Sequence, residues 1–120
     1  MWTYKVSVGE LWHDGKLVGR GYCGAPGFKN DPSKENLKNR GPLPRGKYTI
    51  SPAIAVHKRL GPVAIPLVPD KNNKMFGRSD FLIHADSILH PGAASEGCII
   101  MPYSTRVFVA SSNDKELEVV

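Results

Sequence analysis

Apolar and polar positions alternate from the first residues of the chain. Trp2, Tyr4, Val6 and Val8 fall on one face and Thr3, Lys5 and Ser7 on the other, the period of a half-buried β-strand. Glu10-Leu11-Trp12 and Lys16-Leu17-Val18 flank His13-Asp14-Gly15, and Asp-Gly between two apolar arms predicts a tight hairpin whose second arm runs towards Tyr22-Cys23-Gly24. Residues 46–50 read as another strand. The apolar stretch 62–68 is interrupted by Pro66, which predicts an edge strand, because proline gives no N–H to a ladder. Residues 80–85 form an apolar strand that ends in a histidine, and a second apolar run follows Gly97-Cys98. One helix is expected over 103–110, entered at Pro102 and closed by Ser111, Ser112 and Asn113. Leu117 to Val120 closes the chain as a strand.

Between Ala25 and Gly46 the pattern gives way to Gly, Pro, Asn, Asp and Lys. Loops of that length in a small domain are usually functional or disordered, but the prolines fix backbone angles and argue for a rigid segment. Its stretch 39–46 reads as scaffold, one wall of a cleft that does not move. The 12 glycines and 10 prolines recur as punctuation along the whole chain. That pattern predicts a mainly β fold, a curved sheet or sandwich with one short helix, built as a single domain over 1–120.

Composition narrows the class of function. A hydrophobic fraction of 41% with 22% charged residues is that of a globular chain rather than a disordered one. The net charge of +5 would attract polyanions. No stripe of Lys and Arg interleaved with aromatics is present, so the expectation is no nucleic acid partner. An anionic cell-wall polymer, or solubility alone, accounts for the charge equally well. No apolar run approaches a membrane span. The start, Met1 to Val6, lacks the basic and apolar regions of a signal peptide, so an extracytoplasmic target implies either another route of delivery or a trimmed start. The two cysteines, Cys23 and Cys98, make no disulfide framework, although a pair between them stays open. Cys23 reads as a small, half-buried strand residue.

Two segments carry chemistry. Phe81-Leu82-Ile83-His84-Ala85-Asp86-Ser87 puts a histidine and an aspartate at the polar end of an apolar strand. Ala94-Ser95-Glu96-Gly97-Cys98-Ile99-Ile100 puts a cysteine after a glycine at the mouth of another. A thiol needs a base nearby to act as thiolate at neutral pH, and that base need only be adjacent in the fold. Gly97 would let the backbone approach a carbonyl closely, and its N–H with that of Cys98 would serve a developing oxyanion. Each segment alone also reads as ordinary core; their joint presence favours a nucleophile–base pair. His90 competes with His84 for the role of base, but lies in a polar loop beside Pro91-Gly92. A zinc reading of His84, Asp86, His90 and Cys98 shows none of the familiar ligand spacings, so no metal or other cofactor is expected. His13 and His57 are assigned nothing.

At these residues the chain resembles the L,D-transpeptidase effectors of bacterial type VI secretion systems, relatives of the YkuD-type L,D-transpeptidases. The resemblance runs from Gly77-Arg78-Ser79 through the two segments above and Met101-Pro102 to Arg106. Upstream it includes Tyr22-Cys23-Gly24, Asn30 and the stretch 39–48. It implies a mostly β catalytic domain in which Cys98 attacks and His84 is the base, working on peptidoglycan tetrapeptide stems. Two departures stand out: Glu96 replaces the second histidine of the general enzymes, and Ala85 replaces the glycine after the base. The first is compatible with the effector branch. The expected outcome is removal or exchange of the terminal D-alanine, by hydrolysis or by an amine such as a free D-amino acid. The expected setting is an antibacterial toxin, a monomer made in the cytoplasm and acting in the periplasm of a target cell. A secretion apparatus and a cognate immunity protein would be its partners. The alternative is a non-catalytic peptidoglycan-binding module. Three residues keep two readings each. Asp86 orients the imidazole or closes the turn before Ser87; Arg106 binds a substrate carboxylate or lies on a solvated helix face; Ser95 shapes the oxyanion region or turns the chain.

Overall fold

The chain begins with a short strand, β1 (Trp2–Lys5), and a computed structural model describes it over all 120 residues. The alternation of the first eight residues is cut short. A 3-10 turn at Val6–Val8 follows β1, so Trp2, Tyr4 and Val6 are fully buried while Val8 is exposed. Strands β2 (Glu10–His13) and β3 (Lys16–Arg20) form the expected hairpin. Both loop residues, Asp14 and Gly15, take positive φ (47° and 84°), as a two-residue turn of that hand requires.

The remaining strands are β4 (Tyr22–Cys23), β5 (Gly46–Ile50), β6 (Ile54–His57), β7 (Gly61–Pro69), β8 (Leu82–His84), β9 (Ile99–Ile100) and β10 (Glu116–Val119). Helix α1 (Tyr103–Ser111) starts after Pro102 as predicted. The fold is mainly β, one compact domain around a mixed sheet ordered β3-β2-β1-β10-β5-β7-β8-β9-β4, with β6 pairing β7 off this path. Strands β1/β10 and β8/β9 run parallel and the other pairs are antiparallel. The two ends of this order, β3 and β4, are separated in the chain by Gly21 alone, so the sheet must curl until its edges approach. At the bend a side chain on Gly21 would collide with the Ile100 carbonyl. Inside the curl lies a core of 17 residues, among them Trp2, Tyr4, Leu11, Leu43, Ile65, Ile83, Ile99 and Leu117. Each aliphatic side chain so buried contributes about 1.5–3 kcal/mol.

Strand β7 is not the edge strand that Pro66 predicts. It lies between β5 and β8. The register reconciles this with the missing N–H. Towards β8, Pro66 faces Leu82 as a pair that exchanges no hydrogen bonds, since the flanking bond runs from Leu67 N–H to the Phe81 carbonyl. Towards β5, the Pro66 carbonyl accepts from Ser51 N–H, and the donor it lacks is where that ladder stops. The proline therefore ends one ladder without breaking the other.

The glycine-proline segment is packed into the fold rather than lying free on its surface. Gly41, Pro42, Leu43 and Pro44 are buried, and backbone bonds hold it to β4 at one end, with Ala25 N–H donating to Arg40 O. Cys23 is fully rather than half buried; burial pushes its thiol up to about 12, and both cysteines are free.

Candidate active site

Strands β8 and β9 are parallel neighbours, with Ile83 opposite Ile99 and His84 opposite Ile100. One step back along this register Leu82 faces Cys98. Because side chains alternate across a strand, His84 and Cys98 emerge on one face, two register positions apart, and both line the same cleft of about 520 Å³. The unbonded pairing of Leu82 with Pro66 has a consequence here. Its N–H points away from β7, and donates instead to Cys98 Sγ at 3.3 Å. A backbone donor on the sulfur favours the thiolate.

His84 is almost completely buried, and its Nδ1 lies 2.8 Å from the Ala85 carbonyl. A carbonyl only accepts, so Nδ1 carries the proton and Nε2 is left as the basic nitrogen. Burial is the main influence holding its pKa below the ordinary imidazole value. The charge of Arg106 and His57 act in the same direction against the Ala85 bond. Burial likewise pushes the Cys98 thiol up, opposed by the Leu82 N–H. Both shifts favour the neutral forms, imidazole and thiol, and the Cys98 Sγ lies 3.9 Å from the Asp80 carbonyl.

The loop before Cys98 is fixed by Ser95. Its hydroxyl donates to the Cys98 carbonyl (2.6 Å) and accepts from the N–H groups of Gly24 (2.9 Å) and Gly97 (3.0 Å). That is the full capacity of a hydroxyl. The Gly97 N–H is thus engaged and does not face an oxyanion, contrary to expectation. The Cys98 N–H has no partner within the protein and is the remaining donor. Gly97 serves by being small: its φ is +138°, and a Cβ there would fall 2.6 Å from Arg78 Nη2 and 2.7 Å from the Phe81 ring.

Asp86 sits apart from the imidazole. Its carboxylate accepts from the Tyr22 hydroxyl (2.6 Å) and from the N–H groups of Ser87 (2.8 Å) and Gly92 (3.1 Å). Of its two readings, the structure shows the turn, and the Ala85 carbonyl takes the orienting place. Burial alone would raise its pKa, but the Tyr22 hydroxyl and the two N–H groups outweigh this and hold it below the usual carboxylate range. The same Tyr22 oxygen accepts from Ala94 N–H, so Asp86 ties the loop wall of the cleft to β4. His90 is exposed at the tip of this loop and does not reach the cleft.

Arg106 is also moved out of the site. It is buried, and donates through Nη1 to the Met101 carbonyl (2.6 Å) and through Nε and Nη2 to the carbonyls of Val63 and Pro62 (both 3.2 Å). It is neither a substrate ligand of the cleft nor on a solvated face; it pins α1 to the start of β7. Two other arginines line the cleft, Arg59 and Arg78, to which sequence reasoning gave no role; Arg78 is the buried one. Nη1 donates to the carbonyls of Glu35 (2.6 Å) and Pro42 (2.8 Å), and Nη2 to those of Gly41 (2.9 Å) and Glu96 (3.1 Å). These four acceptors come from residues 35–42 and 96, so no local pattern announces them. Glu96 itself is exposed and lines the cleft.

A deep imidazole with a free Nε2, and a thiol on the same face of the next strand, are the parts of a nucleophile–base pair. The comparison with family models then places the chain: it belongs to the Tlde1 domain family, matched over residues 18–120, a family of type VI L,D-transpeptidase effectors. Among curated proteins and among solved structures nothing matches. The family makes the peptidoglycan of a target cell the suggested substrate, and no helix is long and apolar enough to cross a membrane.

Proposed function

We infer that the protein is a cysteine-dependent L,D-transpeptidase or L,D-carboxypeptidase that removes or exchanges the terminal D-alanine of peptidoglycan tetrapeptide stems. In this reading it is an antibacterial effector working in the periplasm of the cell it enters, and a distant relative of YkuD-type enzymes. The observation that carries it is the placement of His84 and Cys98 on one face of adjacent strands, opening into one cleft, with the imidazole proton fixed on Nδ1 by Ala85.

In the mechanism this supports, His84 Nε2 takes the Cys98 proton as the sulfur attacks the carbonyl of the L-centre residue before the terminal D-alanine. Leu82 N–H stabilises the sulfur before attack, and the Cys98 N–H is the donor left for the oxyanion. Collapse breaks the peptide bond, and the imidazolium gives its proton to the departing amine, leaving a thioester on Cys98 and free D-alanine. Water or a D-amino acid amine then attacks the thioester, with His84 again taking the proton, and the thiol is restored.

Digestion of purified muropeptides with the wild-type protein and with Cys98→Ala, read by mass spectrometry, tests this. The expected result is loss of D-alanine from tetrapeptides, or its replacement when another D-amino acid is supplied, only with Cys98 present. Muropeptides unchanged by the folded wild-type protein would sink the enzyme reading and favour a wall-binding module.

A further inference from the structure

The cleft carries more charge than this chemistry uses. Three cations line it: Lys38, Arg59 and Arg78. The Nη1 and Nη2 groups of Arg78 are taken by four backbone carbonyls. Lys38 and Arg59 are exposed, and neither has a carboxylate oxygen within 4.0 Å, whereas Arg20 and Arg45 are each paired with a glutamate. They reach the cleft from separate segments, the glycine-proline loop and the β6–β7 turn. The backbone of that turn is fixed at Arg59: His57 Nδ1 accepts from the main-chain N–H groups of both Arg59 (3.1 Å) and Leu60 (3.2 Å). Asp80 and Glu96 line the same cleft, so it is no general trough for polyanions. A mixed lining suits a peptide that bears carboxylates and an ammonium.

We propose that Arg59 is a specificity-determining residue that reads the free C-terminal carboxylate of the peptide whose last residue leaves. The inference rests on the Cys–His reading above and adds which end of the peptide is recognised. The bond to be broken lies one residue from that terminus, so the carboxylate stays near Cys98 however the rest of the stem runs. A guanidinium fork matches a carboxylate in two parallel hydrogen bonds, which the point charge of Lys38 does not. Lys38 then acts on the stem through charge alone. The consequence is an exo-acting enzyme: a stem whose terminal carboxyl is already amidated in a cross-link is rejected.

Calorimetric binding to the Cys98→Ala protein tests this without turnover, using a D-alanyl stem tetrapeptide and the same peptide as its C-terminal amide. The acid is expected to bind about tenfold more tightly than the amide, the low end for a charge-assisted bond at an exposed site. Adding Arg59→Ala should bring the ratio to about one, Arg59→Lys should restore part of it, and Lys38→Ala should weaken both ligands while keeping the ratio. Equal binding of acid and amide, binding of neither, a ratio that survives Arg59→Ala, or one lost instead with Lys38→Ala overturns the proposal. Muropeptide digestion separates the two ideas. If the wild-type protein turns over acid and amide alike, the carboxylate reader falls and the cysteine enzyme stands. If the ratio responds to Arg59 but nothing is turned over, the reverse holds.

Discussion

Arg78 and Arg106 are the two buried arginines of the molecule, and their surroundings differ in one respect. Both direct their donors at backbone carbonyls from distant parts of the chain. Around Arg106 those carbonyls belong to the entry of α1 and the start of β7, away from the cleft. Around Arg78 they belong to the wall loop and to Glu96, two residues before the thiol, and the guanidinium also lies against the Phe81 ring (5.1 Å). The same chemistry therefore holds an architecture in one place and a candidate nucleophile in the other. Burial of an arginine says that it is bonded within the protein; only the identity of its acceptors says what the bonding is for.

The largest expected effect is that of Arg78→Ala. It strands four carbonyls and frees the loop that presents Cys98, so stability should fall by about 3 kcal/mol, roughly 10 °C in Tm, and kcat/KM on tetrapeptide by at least about tenfold. Arg78→Lys should not rescue it, since an ammonium cannot span four acceptors. Arg106→Ala should cost about 2–3 kcal/mol in thermal or urea unfolding, yet leave kcat/KM of the folded protein within about twofold. A matching loss of activity in the two variants would erase the distinction between them.

The smallest effect concerns pH. His84 must be unprotonated to take the thiol proton, and burial holds its pKa below 6.5, so the acid limb of kcat/KM should fall below that value and activity should fade as pH drops through it. Because the Arg106 charge helps hold the imidazole pKa down, Arg106→Ala should move that limb a little towards higher pH. An acid limb at or above 6.5 in the wild-type protein would contradict the buried, Nδ1-protonated imidazole.

Much of the fold could be read from the chain because its signals are local. The Asp14-Gly15 hairpin, strand β5, the strand ending at His84 and the helix after Pro102 each follow from a turn residue or a period contained in a few positions. The candidate pair His84 and Cys98 was legible too, as chemistry-bearing residues at the polar ends of apolar runs, helped by the family resemblance. What misled was context. Pro66 marks an edge when only its missing N–H is counted, and Val8 continues an alternation that the 3-10 turn ends.

The sequence by itself determined the strand-rich class, the hairpin, the glycine-proline segment and the residues able to do chemistry. Hydrophobic period and turn preference act over a few residues and need nothing else. The tertiary structure alone decided that Ala85 rather than Asp86 holds the imidazole, that Ser95 claims the Gly97 N–H, that Arg106 is structural, and that Arg78, Arg59 and Lys38 meet at the cleft. The first three depend on which backbone groups remain unpaired once the sheet has curled, the last on which loops meet there, and partners drawn from residues 22 to 106 leave no mark at any one position of the chain.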